Sequence, residues 1–269
     1  MLEFPYVMKA KELLQSYADG SRNFIEAELT SVSLRGARLC HINLEAATLT
    51  DANLVKVDFF NARLSKARLA RANLSGADLG EADLKGANLR GANLKGANLR
   101  GATLINADLS QADFTDACLS GAKLYGVNLT EAKFINANLK SASLMKAKLI
   151  RTDLTNADFS HANLYQAVFS SVKLKDTILY SATMPNGNIF SHPNAGIDEA
   201  NSLHQQIYLR LSASDLMQLE ACVQEAVAIL YWNIPRDEST NSEYIQNLIM
   251  QQMIKYINLK LNLFNSLEQ

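Results

Sequence analysis

The sequence ADLKG ANLRG ANLKG, residues 82–96, repeats one five-residue unit three times in succession. The spacing continues in both directions, so that Leu, Phe or Met stands at every fifth position in 32 units from Leu29 to Met184, without an insertion. These large residues are called centres below. Two positions before each centre stands a small residue, usually Ala, with Thr152 and Ile42 among the larger variants.

A strict period of five fits neither common element of secondary structure. An amphipathic helix repeats its apolar residues with a period of 3.6, and a half-buried strand alternates with a period of two. Self-similarity at a fixed period is instead typical of repeat architectures, in which each unit buries its apolar residues against its neighbours. The sequence therefore predicts a solenoid.

The tandem Ala-(Asp/Asn)-Leu-x-x units resemble the pentapeptide-repeat family over about 160 of the 269 residues. The resemblance implies a right-handed, four-sided parallel β-helix with four units per coil. It also implies that the centre and the small residue point inward and that the other three point outward. The residue pattern agrees, because one large and one small inward side chain in every five can fill a narrow tube.

We expect three segments along the chain: an N-terminal capping helix in residues 1–21, the β-helix in residues 22–190, and an α-helical C-terminal module in residues 191–269. A cap is expected because the open end of a solenoid would expose core side chains and unpaired backbone groups.

The N-terminal helix is predicted from Val7 to Tyr17. Val7, Ala10, Leu14 and Tyr17 fall on one face, and Gly20 is suited to end the helix. Residues 12–24 also resemble the entry to the repeats in cyanobacterial members of the family, some of which regulate differentiation through protein contacts.

The repeat ends before Pro185, in a Pro-Asn-Gly turn. Helical spacing follows at residues 216–232 and again at residues 240–257. Residues 185–269 hold 4 basic and 9 acidic residues, a net charge of −5. The apolar faces of these helices are expected to pack against each other, the end of the rod or a second protein, and the sequence does not decide among them.

Four units per coil place residues twenty apart above one another, about 4.8 Å apart. The faces are numbered from Leu29, so that the fourth face has its centres at Leu44 and every twentieth residue after it. Directly after four fourth-face centres, on successive coils, stand the outward residues of the apolar column: Ile105, Tyr125, Met145 and Tyr165. A contiguous apolar stripe marks contact with something, either a partner or the protein's own C-terminal segment.

A second candidate contact surface is the basic corner, formed by Arg63, Lys66, Arg68 and Arg71. The repeat as a whole, residues 24–184, holds 19 basic and 15 acidic residues, a net charge of +4 with mixed signs. It has neither the basic stripe nor the reader element of nucleic-acid-binding proteins, so no nucleic-acid partner is expected. Some family members protect DNA gyrase by imitating the acidic DNA rod, which requires dense negative charge that this rod lacks.

No catalytic constellation is present, and we expect no enzyme activity, cofactor or metal. His41 and His161 lie six coils apart, too far to share a metal ion. The three cysteines, Cys40, Cys118 and Cys222, are widely spaced and odd in number, which indicates reduced thiols and a cytoplasmic protein. No apolar run is long enough to span a membrane.

The sequence therefore predicts a non-enzymatic interaction protein, a scaffold or regulatory adaptor that binds a protein partner through a solenoid face or the C-terminal helices. The alternative, which the charge disfavours, is a DNA-mimicking inhibitor or protector of a DNA-processing enzyme such as gyrase. A homodimer formed through stacked ends or the C-terminal helices is also consistent with the pattern.

Overall fold

The computed structural model describes residues 7–185, 187 and 189. The chain divides into two units, Met1–His192 and Pro193–Gln269, and all the described residues belong to the first. The α-helical module predicted in residues 191–269 lies outside the described residues.

Parallel pairing between residues twenty apart builds the described unit. Isolated parallel bridges join successive coils along its length, as in Asn53↔Asn73 and Asn73↔Asn93. The longer pairing joins strand β1 (Lys148–Ile150) to strand β2 (Val168–Ser170). A step of twenty residues between partners is four units of five, so the structure has the four-unit coil that the family resemblance implies.

The centres and the small residues fill the inside of these coils. All centres from Phe24 to Leu164 are buried, and Phe114 stacks on Phe134 with 4.7 Å between ring centroids. The buried hydroxyl of Thr152 donates a hydrogen bond of 2.9 Å to the Leu129 carbonyl, which explains how a polar residue is accommodated at a small position. Packing loosens at the last coil, where Phe169 and Met184 are only partly buried.

A tight turn follows the centres outside the two strands. The N–H three residues after the centre donates to the centre's carbonyl, as Ala87 does to Leu84 at 3.0 Å. The residue two after the centre has a positive φ, between 52° and 68°, at every fifth position from Glu26 to Ser181. These are type II-like turns, whose third residue requires a positive φ.

Asn and Asp side chains before the centres stabilise these turns by accepting hydrogen bonds from backbone N–H groups. Asn73 Oδ1 accepts a bond from the Ser75 N–H at 3.2 Å and another from the Asn93 side-chain amide, one coil later, at 3.2 Å. Asp113, the next member of this column, accepts from the Thr115 N–H at 3.0 Å. The side chains of this column therefore stabilise the turns and join successive coils.

Helix α1 (Ala10–Ala18) lies at the N-terminal end. The Glu12 carboxylate accepts a bond from the Lys9 N–H at 3.1 Å, and Gly20 follows the helix with a φ of 99°. Leu13 is fully buried in the solenoid core, with Ala10 and Tyr17 packed beside it.

Two residues of the predicted helix face, Val7 and Leu14, are exposed. Val7 precedes the helix, is 57% exposed and pairs with Glu28 as a short extension of the sheet. Leu14 is 38% exposed, because the packed side of the helix is centred on Leu13 and Leu14 lies at its edge.

We predict that Leu13→Ala destabilises the N-terminal coils by about 2–5 kcal/mol, since it empties a fully buried site. Solenoids open locally, so amide hydrogen exchange in the first two coils is the suitable measurement. The matched control is Leu14→Ala, which should change the protection of these amides by less than about 0.5 kcal/mol. Equal effects of the two substitutions would contradict the described packing.

We also predict that Gly96→Ala destabilises the protein by about 1 kcal/mol, through backbone conformation alone. Gly96 has a φ of 62°, and a Cβ added there would meet no atom within 4 Å. Chemical denaturation compared with Ser65→Ala, at a half-buried position of ordinary φ, measures this cost. No difference between the two variants would show that the turn tolerates a side chain without strain.

Candidate functional site

The four residues of the apolar column lie on consecutive coils. The N–H of Asn106 donates to the Tyr125 carbonyl at 2.9 Å, and the N–H of Lys146 donates to the Tyr165 carbonyl at 3.0 Å. Corresponding bonds run to the carbonyls of Ile105 and Met145. Coil-to-coil bonding therefore holds the column in register at the roughly 4.8 Å spacing of paired strands.

The two tyrosines are the most exposed members of the column. Tyr125 is 37% exposed and Tyr165 is 39% exposed, whereas Ile105 and Met145 are half-buried. An aromatic residue with an apolar body and a polar tip is well suited to a contact surface.

Two lysines flank the column, and the sequence prediction did not include them. Lys146 Nζ lies 5.5 Å from the centroid of the Tyr125 ring, within the range of a cation–π contact. Lys123, which directly precedes the centre Leu124, is exposed. Both could have been identified from the period of five, because their positions in the unit assign them to the fourth face.

The fourth face carries no carboxylate along residues 103–166. Its outward side chains there are apolar, neutral or basic: Thr103, Ile105, Asn106, Lys123, Tyr125, Ser143, Met145, Lys146, Asn163, Tyr165 and Gln166. Elsewhere on the rod, acidic and basic residues are interleaved. Along these residues, this face therefore combines apolar side chains with a local positive charge.

The chain beyond the last coil touches one end of the column. A Cβ added to Gly187 would lie 3.4 Å from Cε2 of Tyr165. The N–H of Gln166 donates to the Pro185 carbonyl at 2.9 Å, which extends the column's backbone pairing by one residue. The C-terminal segment, expected as one alternative to cover the column, lies outside the described residues.

The basic corner is partly neutralised by residues of the preceding coil. Arg71 makes two hydrogen bonds of 2.7 Å to the Asp51 carboxylate, and Arg63 lies 3.8 Å from the Glu45 carboxylate. The bonds from Arg71 lower the pKa of Asp51. Arg68 reaches only the Thr48 hydroxyl, at 3.4 Å. Lys66 has no partner among the described residues, so the corner offers fewer available cations than the sequence indicates.

Carboxylates on the other faces serve the fold. Asp113 accepts bonds from the Thr115 hydroxyl at 2.6 Å and pairs with Lys95 at 3.3 Å. Burial raises the pKa of Asp113, but the bonds from Thr115 and Lys95 outweigh it, so the pKa is lowered overall. Asp153 and Asp158 have the same arrangement and the same direction of pKa shift.

Within residues 7–185, no group of three or more His, Cys, Asp or Glu side chains is arranged to hold a metal ion. Cys40 and Cys118 are free and half-buried. Within the described part of the chain, no helix is long and apolar enough to cross a membrane.

A family model described as Pentapeptide repeats matches the chain in eight copies, over residues 27–65, 52–91, 67–104, 92–130, 122–160 and 147–186. Among proteins whose functions have been curated, none matches this chain in sequence.

Several solved structures resemble the chain. HetL, a pentapeptide repeat protein involved in heterocyst differentiation regulation from the cyanobacterium Nostoc sp. strain PCC 7120, is 33% identical, with 68% of this chain and 100% of HetL covered and a TM-score of 0.32. The pentapeptide repeat protein alr5209 from Nostoc PCC 7120 is 31% identical, with 54% of this chain and 84% of alr5209 covered and a TM-score of 0.32. A trypsin-treated variant of QnrB1, a plasmid-mediated fluoroquinolone resistance protein, is 16% identical, with 71% of this chain and 97% of the QnrB1 chain covered and a TM-score of 0.53. The likeness to QnrB1 concerns the fold alone.

We predict that acid destabilises the solenoid through Asp113, Asp153 and Asp158. Because their folded pKa values lie below the unfolded value of about 3.9, their contribution is present above that pH and is lost as pH falls through the folded values. Thermal unfolding between pH 6 and pH 2.5 should show stability falling below about pH 4 to 5. The triple Asp→Asn variant should be less stable at pH 6 and should show a weaker acid dependence. An unchanged acid dependence would assign the effect to other groups.

Proposed function

Since this chain belongs to the pentapeptide-repeat family, whose fold is the right-handed β-helix, we propose that it is a non-enzymatic scaffold or regulatory adaptor that binds a protein partner through the fourth face of its rod. The observation that carries the proposal is the apolar column, with its two exposed tyrosines held in register by coil-to-coil bonds. The flanking lysines and the absence of carboxylates along residues 103–166 distinguish this face from the mixed surface around it.

The rigidity of the rod supports an adaptor role. Each coil bonds to the coils before and after it, so exposed side chains keep fixed spacings before a partner arrives. Binding then costs less conformational entropy than it would on a mobile surface. We include in the proposal that α1 caps the rod at its N-terminal end and that the protein is cytoplasmic with reduced cysteines.

The likeness to HetL, which is described as taking part in regulation, is in keeping with a regulatory adaptor. The charge distribution favours this role over DNA mimicry. The repeat has a net charge of +4, and the carboxylates of Asp113 and Asp158 are paired with Lys95 and Lys140. A duplex mimic needs unpaired negative charge at about the density of DNA, one charge per roughly 1.7 Å.

We predict that replacing both Tyr125 and Tyr165 by Ser removes partner binding and leaves the fold intact. The experiment is affinity capture with the full-length protein from its native host, followed by quantitative mass spectrometry. Loss of a captured protein by about tenfold or more is expected, since exposed aromatic residues are frequent binding hot spots.

The matched control replaces two exposed aromatic residues of the third face, Phe60 and Tyr180, by Ser. A partner that is retained by the control and lost by the fourth-face variant supports the proposal. Partners that survive the fourth-face variant, or that are lost equally with both variants, would refute the assignment of binding to this face.

A further inference from the structure

Backbone N–H groups on the outside of the rod have a recurrent acceptor. In half of the 32 units, the N–H after the centre donates to an Asn or Asp side chain before the centre. On the fourth face, the Lys85 N–H donates to Asp83 Oδ1 at 3.0 Å, and the Tyr165 N–H donates to Asn163 Oδ1 at 3.0 Å. Because the accepting side chains are on the surface, these N–H groups point outward.

Three consecutive coils of the fourth face lack this acceptor. Before the centres stand Thr103, Lys123 and Ser143, where Asp83 and Asn163 stand on the flanking coils. The outward N–H groups of Ile105, Tyr125 and Met145 have no hydrogen-bond acceptor among the described residues. At strand spacing, they form a row of three donors about 10 Å long, directly beneath the apolar column.

The chemistry of this row favours a carboxylate. Exposed N–H groups bind water until a better acceptor displaces it, and a charged oxygen forms a shorter and stronger bond than a neutral one. Stacked backbone donors form anion-binding surfaces in other folds. Lys123 and Lys146 lie on the same face and add positive charge, and the outward positions of that face along residues 103–166 hold no carboxylate.

Strand addition along this side is excluded. The other N–H groups of the column are already bonded between coils, as in the bond from Gly126 to the Met145 carbonyl at 2.9 Å. A partner therefore reaches this face with its side chains. Contact with Tyr125, Met145 and Ile105 requires apolar side chains, so the ligand is a polypeptide segment that carries both apolar and acidic residues.

We propose that the fourth face recognises the Asp or Glu side chains of its partner through the N–H groups of Ile105, Tyr125 and Met145. The partner's carboxylates take the places that Asn and Asp occupy on the neighbouring coils. Lys123 and Lys146 contribute electrostatic attraction that weakens with rising salt. This inference rests on the proposed function, and it names the chemistry of the segment that the face binds.

The test uses variants that supply these N–H groups with a hydrogen-bond acceptor from the same chain and do not change the net charge. Thr103→Asn and Ser143→Asn together give the Ile105 and Met145 N–H groups the kind of acceptor that Asn163 provides for the Tyr165 N–H. The matched control is Ser33→Asn on the second face, where the Arg35 N–H likewise has no acceptor among the described residues. Both changes copy a residue type that the repeat accepts before its centres, so folding should be preserved.

The probe is a phage-displayed library of random dodecapeptides selected on immobilised full-length protein. We expect the selected peptides to be enriched in Asp and Glu together with aliphatic or aromatic residues. Synthetic copies should bind the wild type and Ser33→Asn equally, and should bind the Thr103→Asn/Ser143→Asn variant at least about tenfold more weakly. Titration of the ¹⁵N-labelled protein should shift the amide signals of Ile105, Tyr125 and Met145.

Selected peptides without acidic enrichment, or peptides that bind the double-Asn variant as tightly as the wild type, would overturn the proposal. Recovery of no peptide would overturn it too, as would slow exchange of these three amide hydrogens in the free protein, which would reveal an acceptor within the same chain. Failure here is distinct from failure of the proposed function. Some captured host proteins could be lost with the Tyr125→Ser/Tyr165→Ser variant but kept by the double-Asn variant. That result would support partner binding at the fourth face and refute its recognition of carboxylates.

Discussion

The pairing of one large and one small inward side chain in every five residues is the constraint on which the other features of the rod depend. A centre such as Leu94 and the small residue two positions before it, Ala92, are both buried inside the tube. Because the buried pair leaves little lateral freedom, successive coils settle in one register, and their backbone groups meet as donors and acceptors. The hydrophobic interior and the coil-to-coil bonding are therefore one cooperative arrangement.

This arrangement leaves three outward positions in each unit free to vary, and each has a different chemical role. The position before the centre holds Asn or Asp where the turn is tied internally, as at Asn73. The position after the centre carries the most prominent side chains, Tyr125 and Tyr165 among them. The position two after the centre adopts a left-handed conformation whether it is Gly96 or Lys146. Surface residues can therefore change to suit a function with little effect on the core.

Much of this structure could be predicted from the sequence, because the period of five, combined with the four units per coil that the family resemblance implies, determines the position of each residue. The stacking of Ile105, Tyr125, Met145 and Tyr165 follows from their separation by twenty residues, and so does the column that contains Asn73 and Asn93. The burial of Leu13 in preference to Leu14 could not be predicted, since both lie on the apolar side of α1 and only the approach of the helix to the first coil distinguishes them. Pairing of Arg71 with Asp51 depends on side-chain conformations between coils, which the repeat pattern does not specify.

A coil of twenty residues built from units of five also determines how such a rod can change in length. Gain or loss of four units moves every later residue along the axis by one layer and keeps it on its own side. Gain or loss of a single unit turns everything downstream by a quarter of a revolution. Tyr165 would then stand beside a different neighbour from Tyr125, and a surface extending over four layers would be divided between two sides. A contact surface of this kind is therefore kept only when the segment between its first and last contact changes in length by multiples of twenty residues. This constraint acts on the length of the segment and not on any of its residues individually.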